Sequence, residues 1–210
     1  MTVISKSAGY SSDWVSETGL DLEIGYCITM VRDVDPREAL DRFGVNDETI
    51  RTAPWSELVA QVSTLEPPEH HGVTAAFAFG GHTVLVEDFG YRGRSAEWTE
   101  PLSQGTEAVN VYLSPSSLKL ELTIIRDGQQ VAFIDGDAPD DVDTDDPKLA
   151  ESLARFARAA LAPWDENDEP PESFEDGWVD LLQVACDYLG LRPTVSDISR
   201  PVLGAPVRVR

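Results

Sequence analysis

The stretch that decides the fold is "SLKLELTIIRDGQQVAFID", residues 117–135, in which two alternating segments flank Asp127 and Gly128. An Asp-Gly pair between alternating segments is the strongest short-range signal for a two-residue β-hairpin turn, because both turn positions need positive φ. Pairing outward from the turn predicts two cross-strand pairs on one apolar face: Ile124 with Val131, and Leu122 with Phe133. Lys119, Glu121 and Gln130 fall on the opposite face.

Other segments carry the same kind of signal. Residues 22–31, "LEIGYCITMV", and residues 107–114, "EAVNVYLS", are typical of strands. Gly80 and Gly81 predict a second hairpin, which pairs Phe79 with His82, Phe77 with Val84 and Ala75 with Val86. Since short turns join most of these segments, we expect a mostly antiparallel sheet of about five strands.

Four segments indicate helices. Asp35 and Pro36 begin one that ends at Gly44, and a short helix is predicted over Pro54–Val62. A third follows Asp146 and Pro147, with apolar residues at helical spacing up to Ala160. For the last helix Ser173 and Asp176 form a capping box and Gly190 is the stop; its apolar stripe is Leu181, Leu182, Ala185 and Leu189.

These patterns predict the α+β class, with the helices packed on one face of the sheet. We expect a single domain over residues 1–210, with acidic loops at 135–146 and 165–176 and a C-terminal tail at 193–210. The length of 210 residues is enough for one substantial core.

The charge is concentrated in the two acidic loops. The chain carries a net charge of -22, and each loop holds seven acids and no lysine or arginine, which leaves 24 acids against 16 bases elsewhere. Both loops precede predicted helices, where carboxylates stabilise exposed N–H groups, so helix capping accounts for Asp146, Glu175 and Asp176. Capping needs only one or two acids, and the others repel one another.

Three interpretations of the first acidic loop remain. Aspartates at positions one, three and five from Asp141 suggest a calcium loop, but Asp146 replaces the required glycine and Ser152 replaces the bidentate glutamate. Alternatively, the loop is simply solvated, as runs of like charge usually are. The third interpretation is a surface that binds a basic protein. The predicted partner-binding residues are Asp135, Asp137, Asp140, Asp141, Asp143, Asp145, Asp165, Glu166, Asp168 and Glu169.

The usual signatures of catalysis are absent from the sequence. It contains no G-x-S-x-G, Walker-type or G-x-G-x-x-G motif. Cys27 and Cys186 lie in apolar contexts that predict buried free thiols. In the predicted hairpin, His71 and His82 are roughly 27 Å apart at about 3.4 Å per residue, which excludes a shared metal ion. The sequence therefore predicts no catalytic, cofactor-binding or metal-binding residues, although scattered carboxylates leave enzymatic activity open.

Composition also restricts the location and the partners. No secretory signal or apolar membrane span occurs in the sequence, which favours a cytoplasmic protein that does not insert into a membrane. Direct binding to nucleic acid is disfavoured because the overall negative charge repels phosphates. The composition does not indicate an oligomeric state.

The stretch "GYRGRS", residues 90–95, offers an alternative site. Tyr91, Arg92 and Arg94 have the chemistry to hold a phosphate or a carboxylate, as in a small hydrolase or ligand-binding domain. The other interpretation is a polar turn whose arginines balance Glu87 and Asp88. The competing hypothesis is a non-enzymatic interaction domain, of immunity, inhibitor or adaptor type, whose acidic loops bind a basic protein.

Several of these strings together resemble a known family. "GYCITMVRDVDPREALDRFG", "TVLVEDFGYRG", "LSQGTEAVNVY" and "RDGQQVAFID" are similar to an uncharacterised family, a domain of unknown function, from high-GC Gram-positive bacteria. The resemblance covers roughly Trp14 to Ala160. It implies no assigned activity and transfers no functional residue, and the two acidic loops are not expected from the family pattern.

Overall fold

The computed structural model describes residues 15, 25–65, 71–88, 90–114, 117, 119–139, 141–162 and 178–208. The strands are β1 Tyr26–Arg32, β2 Arg51–Ala53, β3 His71–Phe79, β4 His82–Asp88, β5 Glu107–Ser114, β6 Lys119–Arg126, β7 Gln129–Asp135, β8 Val142–Asp143, β9 Leu161–Ala162, β10 Trp178–Val179 and β11 Val202–Arg208. The helices are α1 Pro36–Arg42, α2 Trp55–Val62, α3 Ala96–Leu102, α4 Pro147–Ala159, α5 Leu181–Leu189 and α6 Val195–Ile198. Asp47–Thr49 and Arg92–Arg94 form 3₁₀ turns.

Nine strands of the described residues form one antiparallel sheet, in the order β2-β11-β3-β4-β1-β5-β6-β7-β8. Strands β9 and β10 pair separately. The α+β class is therefore confirmed, whereas the expectation of about five strands is wrong. Strands β2 and β8 were missed because three and two residues are too few to show a period of two.

The segment at 193–210, expected to be a tail, contains a strand inside the sheet. β11 lies between β2 and β3 and pairs with six residues of β3. Gly204 and Pro206 hid it from sequence analysis, because both residue types are depleted in strands. β2 pairs only with residues 202–204 of β11, so in the described sheet no strand lies beside Pro206 on the β2 side. The missing N–H of proline is tolerated at such an edge position.

The two hairpins differ in how well their register was predicted. At Gly80 and Gly81, whose φ angles are 57° and 80°, all three predicted pairs are present. At Asp127 and Gly128 the predicted turn is also present, but a β-bulge shifts the register between Ile124 and Ile125. Both predicted pairs are therefore wrong: Ile124 lies opposite Ala132, and Leu122 lies opposite Ile134.

Helices cover both faces of the sheet, which corrects the expectation of a single covered face. One core joins α2, α4 and α5 to one face, around Ile28 and Leu122. A second core on the opposite face joins α1 and α3 to Val31 and Leu85. Because side chains alternate between faces, coverage on both sides leaves six consecutive buried residues in β1 and in β4.

Three of the four predicted helices start where the sequence signals indicate. The Asp35 side chain caps α1 and the Asp146 side chain caps α4, each followed by proline. α2 begins after Pro54. The start of the last helix was wrong: α5 begins at Leu181 and is capped by Asp180, whereas Ser173 and Asp176 lie outside the described residues. Its predicted stop, Gly190, is confirmed with a left-handed φ of 69°.

Candidate interaction surface

Part of the first acidic segment lies at one edge of the sheet. β8 is the last strand in the sheet order, and five predicted partner-binding residues on or beside it are exposed: Asp135, Asp137, Asp141, Asp143 and Asp145. The remaining predicted residues, Asp140, Asp165, Glu166, Asp168 and Glu169, lie outside the described residues. The five exposed carboxylates form what we call the acidic edge.

Two aspartates in this segment have local structural roles. Asp146 Oδ1 accepts hydrogen bonds from the backbone N–H groups of Lys148 and Leu149 and so caps α4. Asp135 Oδ1 accepts one from the N–H of Asp137, 3.1 Å away. Capping therefore explains Asp146, as predicted, and leaves the exposed carboxylates of β8 and the residues beside it for another explanation.

A groove of about 420 Å³ lies beside the acidic edge. It runs between β7 and the segment that leads into α4, and its lining residues are Arg126, Gln129, Gln130, Val131, Ala132, Asp143, Thr144, Asp145, Asp146 and Leu149. The Thr144 hydroxyl donates to the carbonyl of Val131 at 2.6 Å, which ties the two walls together at one point. The groove thus combines acidic side chains with the backbone of a sheet edge.

Arg126 is the cation of this groove, and a buried acid holds it. Arg126 Nε and Nη2 donate to Glu107 Oε2 at 3.1 and 2.5 Å, and the Tyr188 hydroxyl donates to the same oxygen at 2.9 Å. Burial, followed by the charge of Glu107, raises the pKa of Tyr188 to about 12. Much of the positive charge at the groove is therefore balanced within the protein.

The two arginines of the alternative site donate to protein acceptors. Arg94 forms a forked ion pair with Glu121, at 2.6 and 2.8 Å, and stacks over the Tyr112 ring. The Arg92 guanidinium stacks over the Trp98 ring at 4.6 Å. It also donates to three backbone carbonyls, those of Phe43, Gly44 and Arg208. Tyr91 is half exposed, at 49%.

A buried carboxylate holds the backbone of the same turn. The N–H groups of Arg92 and Gly93 donate to the two oxygens of Glu87, at 3.0 and 2.9 Å. Burial raises the pKa of Glu87, against the lowering effect of these donors and of the Cys27 thiol. The predicted partnership of this turn with Glu87 is present, but it runs chiefly through backbone N–H groups. For Asp88, burial raises the pKa.

Next to Glu87 lies a cluster of small polar groups that sequence analysis missed. Asn110 Nδ2 donates to the Thr29 hydroxyl at 2.9 Å, to the Ile28 carbonyl and to Cys27 Sγ, both at 3.3 Å. Burial raises the pKa of the Cys27 thiol well above its usual value. Cys27 and Cys186 are both free and buried, as predicted. A buried Asn in the strand "EAVNVYLS" was the available signal for this cluster.

Metal ligands do not converge within the described part of the chain, where no group of three or more His, Cys, Asp or Glu side chains could hold an ion. His71 and His82 lie at opposite ends of the β3–β4 hairpin, since His82 pairs with Phe79 beside the turn. His70 lies outside the described residues. Among the helices described, none has the length and apolar character to cross a membrane.

Comparison with known proteins gives a match to a family model. No curated protein and no solved structure matches the chain significantly. A family model described as a family of unknown function, DUF6461, matches residues 7–194 and includes both acidic segments. Since this match covers most of the 210 residues, the chain belongs to the DUF6461 family.

Proposed function

We propose that the protein is a non-enzymatic interaction domain, of immunity, inhibitor or adaptor type, whose acidic segments bind a basic partner protein. The observation that supports the proposal most directly is the acidic edge beside an open groove. Asp141, Asp143 and Asp145 are exposed there, so their charges are accessible to a partner.

Charge at an edge acts chiefly on the rate of encounter. A patch of one sign attracts a partner of the opposite sign and speeds its association, but salt screens this attraction over about 8 to 10 Å at physiological strength. We therefore expect the association rate to fall steeply as salt is added, while the dissociation rate changes little. Within this proposal the acidic segment 165–176 contributes further charge.

The alternative, a hydrolase or ligand-binding site near Tyr91, Arg92 and Arg94, has less support. A site for an anion needs guanidinium donors that face the ligand. Those of Arg94 face Glu121, and those of Arg92 face backbone carbonyls. The proposal places the interaction in the cytoplasm, in keeping with two buried free thiols.

The test is kinetic. A partner is captured from native cells at low salt, and its association with the wild-type protein is compared with that of the D141N/D143N/D145N variant at two ionic strengths. We expect slower association and a flatter salt dependence for the variant. Its free energy of unfolding should not fall, because these side chains are exposed.

A matched control removes three exposed charges elsewhere, on α1, the first 3₁₀ turn and α3, in the D41N/E48Q/E97Q variant. This control should retain most of the wild-type association rate. Equal association rates for the wild type and D141N/D143N/D145N would show that the acidic edge does not steer the partner.

A further inference from the structure

β8 covers only part of the edge of β7. The two residues of β8 pair with Phe133 and Ile134, although β7 begins four residues earlier, at Gln129. After Asp143 the strand ends, and the chain reaches α4 at Pro147, with one side-chain contact to β7 from Thr144. In the described structure, therefore, no strand pairs with Gln129–Ala132 on the side away from β6.

The groove lies along this uncovered part of β7. Residues 129–132 form one wall, and the opposite wall includes Asp143, Asp145 and Leu149. A sheet edge presents backbone N–H and C=O groups that can pair with an extended chain. The Val131 carbonyl points towards the groove, where it accepts a hydrogen bond from the Thr144 hydroxyl. An added strand would replace that hydrogen bond with one from its own backbone N–H.

We propose that an extended, lysine- or arginine-rich segment of the partner pairs with β7 over Gln129–Ala132, in line with β8, and so adds a strand to the sheet. This inference rests on the proposed function and specifies how the partner binds. Main-chain hydrogen bonds to β7 supply part of the affinity, as in other cases of strand addition. Basic side chains of the segment face Asp143 and Asp145.

Charge decides between the possible occupants of the groove. A second copy of this chain, paired edge to edge, would bring two sets of exposed aspartates together, and the net charge of -22 repels such a pairing further. Arg126 also lines the groove, but its guanidinium is paired with Glu107. A basic segment is therefore the occupant whose charge complements the groove.

The probe is a labelled eight-residue peptide that alternates lysine with threonine or valine. A control peptide has the same sequence, with N-methyl groups on alternate backbone amides. It retains the charge, but hydrogen bonding along one edge of the peptide is blocked. Binding of both peptides to the full chain is measured by fluorescence anisotropy at low salt. Hydrogen exchange follows the backbone amides of residues 129–132.

We expect the unmodified peptide to bind, to slow amide exchange within residues 129–132, and to bind at least tenfold more tightly than the methylated peptide. The D143N/D145N variant should bind the unmodified peptide several-fold more weakly, with a flatter salt dependence. Retention of the wild-type melting temperature by the variant establishes that it is folded.

Equal binding of the two peptides would overturn strand addition and leave the charge-based proposal standing. Conversely, if D143N/D145N binds the unmodified peptide as tightly as the wild type does and still binds the methylated peptide more weakly, strand addition is supported and the acidic edge is not the source of affinity. Binding of neither peptide, or dimerisation of the chain through this edge, would overturn the inference. If neither peptide binds and the chain stays monomeric, these aspartates only keep the edge of β7 from pairing with other sheets.

Discussion

Substitution of Gly93 by alanine should disturb the contact between the 3₁₀ turn at Arg92–Arg94 and the sheet. A Cβ atom at Gly93 would lie closer than 3.0 Å to Asn110 Nδ2, Thr29 Oγ1 and Cys27 Sγ. Real Cβ atoms essentially never make such contacts, and these three side chains are buried with little room to move. The turn must therefore lift away from the strands.

The size of the effect follows from two terms. Overpacking a buried site costs about 1–3 kcal/mol. Lifting the turn also weakens the hydrogen bonds from the N–H groups of Arg92 and Gly93 to Glu87, and hydrogen bonds to a charged group are worth about 1.5–3 kcal/mol. Lifting the turn relieves part of the clash while it weakens these hydrogen bonds, so the two costs do not add in full. We therefore expect a loss of about 3 kcal/mol in the free energy of unfolding. For a chain of this size, that lowers the melting temperature by about 6–12 °C.

Chemical denaturation of the wild type, G93A and G81A provides the measurement. Gly81 is a suitable control because an added Cβ meets nothing within 4 Å, and only its φ of 80° makes alanine unfavourable. That strain costs about 1–2 kcal/mol. If G93A is no less stable than G81A, the turn is not seated on Asn110 and Glu87 as described.

Three further predictions concern other parts of the molecule. The pKa of Tyr188 is raised from 10.0 to about 12, so the stability that its phenol contributes is present below pH 10 and lost as the pH rises through about 12. The free energy of unfolding of Y188F should therefore depend less on pH over this range. A pH dependence equal to that of the wild type would contradict the assignment. E107Q should cost about 2 kcal/mol in urea unfolding because Glu107 accepts charge-assisted bonds, whereas the exposed ion pair of Glu57 limits E57Q to less than about 1 kcal/mol. Millimolar calcium should change the melting temperature no more than a potassium salt of equal ionic strength, because Pro147 begins α4 within the loop that a calcium site needs; a site of micromolar affinity would add about 4 kcal/mol at a thousandfold excess.

Local chemistry made the turns and caps predictable. Gly80 and Gly81 set their hairpin through positive φ angles, and Asp35 and Asp146 cap their helices through side-chain oxygens. The bulge near Gly128 escaped prediction because Val131 and Ala132 are both apolar, so the sequence pattern is compatible with either residue pairing. The continuous apolar run "VLV" in β4, residues 84–86, was the available sign that both faces are covered.

The candidate site was predictable only in part. The acids between Asp135 and Asp146 are visible in the sequence, but the groove beside them depends on where β8 and α4 lie relative to β7. Arg94 was expected to balance nearby acids, whereas it pairs with Glu121, which lies 27 residues further along the chain. Such a partner is fixed by the pairing of β5 with β6 and leaves no mark at short range.

The position of β11 between β2 and β3 has a consequence for synthesis of the protein on the ribosome. β2 has β11 as its neighbour in the sheet, and their residues lie about 150 positions apart in the chain. β2 and the outer side of β3 must therefore wait, unpaired, while the intervening strands and helices are translated. Contacts of such long range form slowly, and exposed strand edges promote aggregation in the meantime. A nascent chain stalled before residue 202 would thus present an open, apolar sheet edge to chaperones.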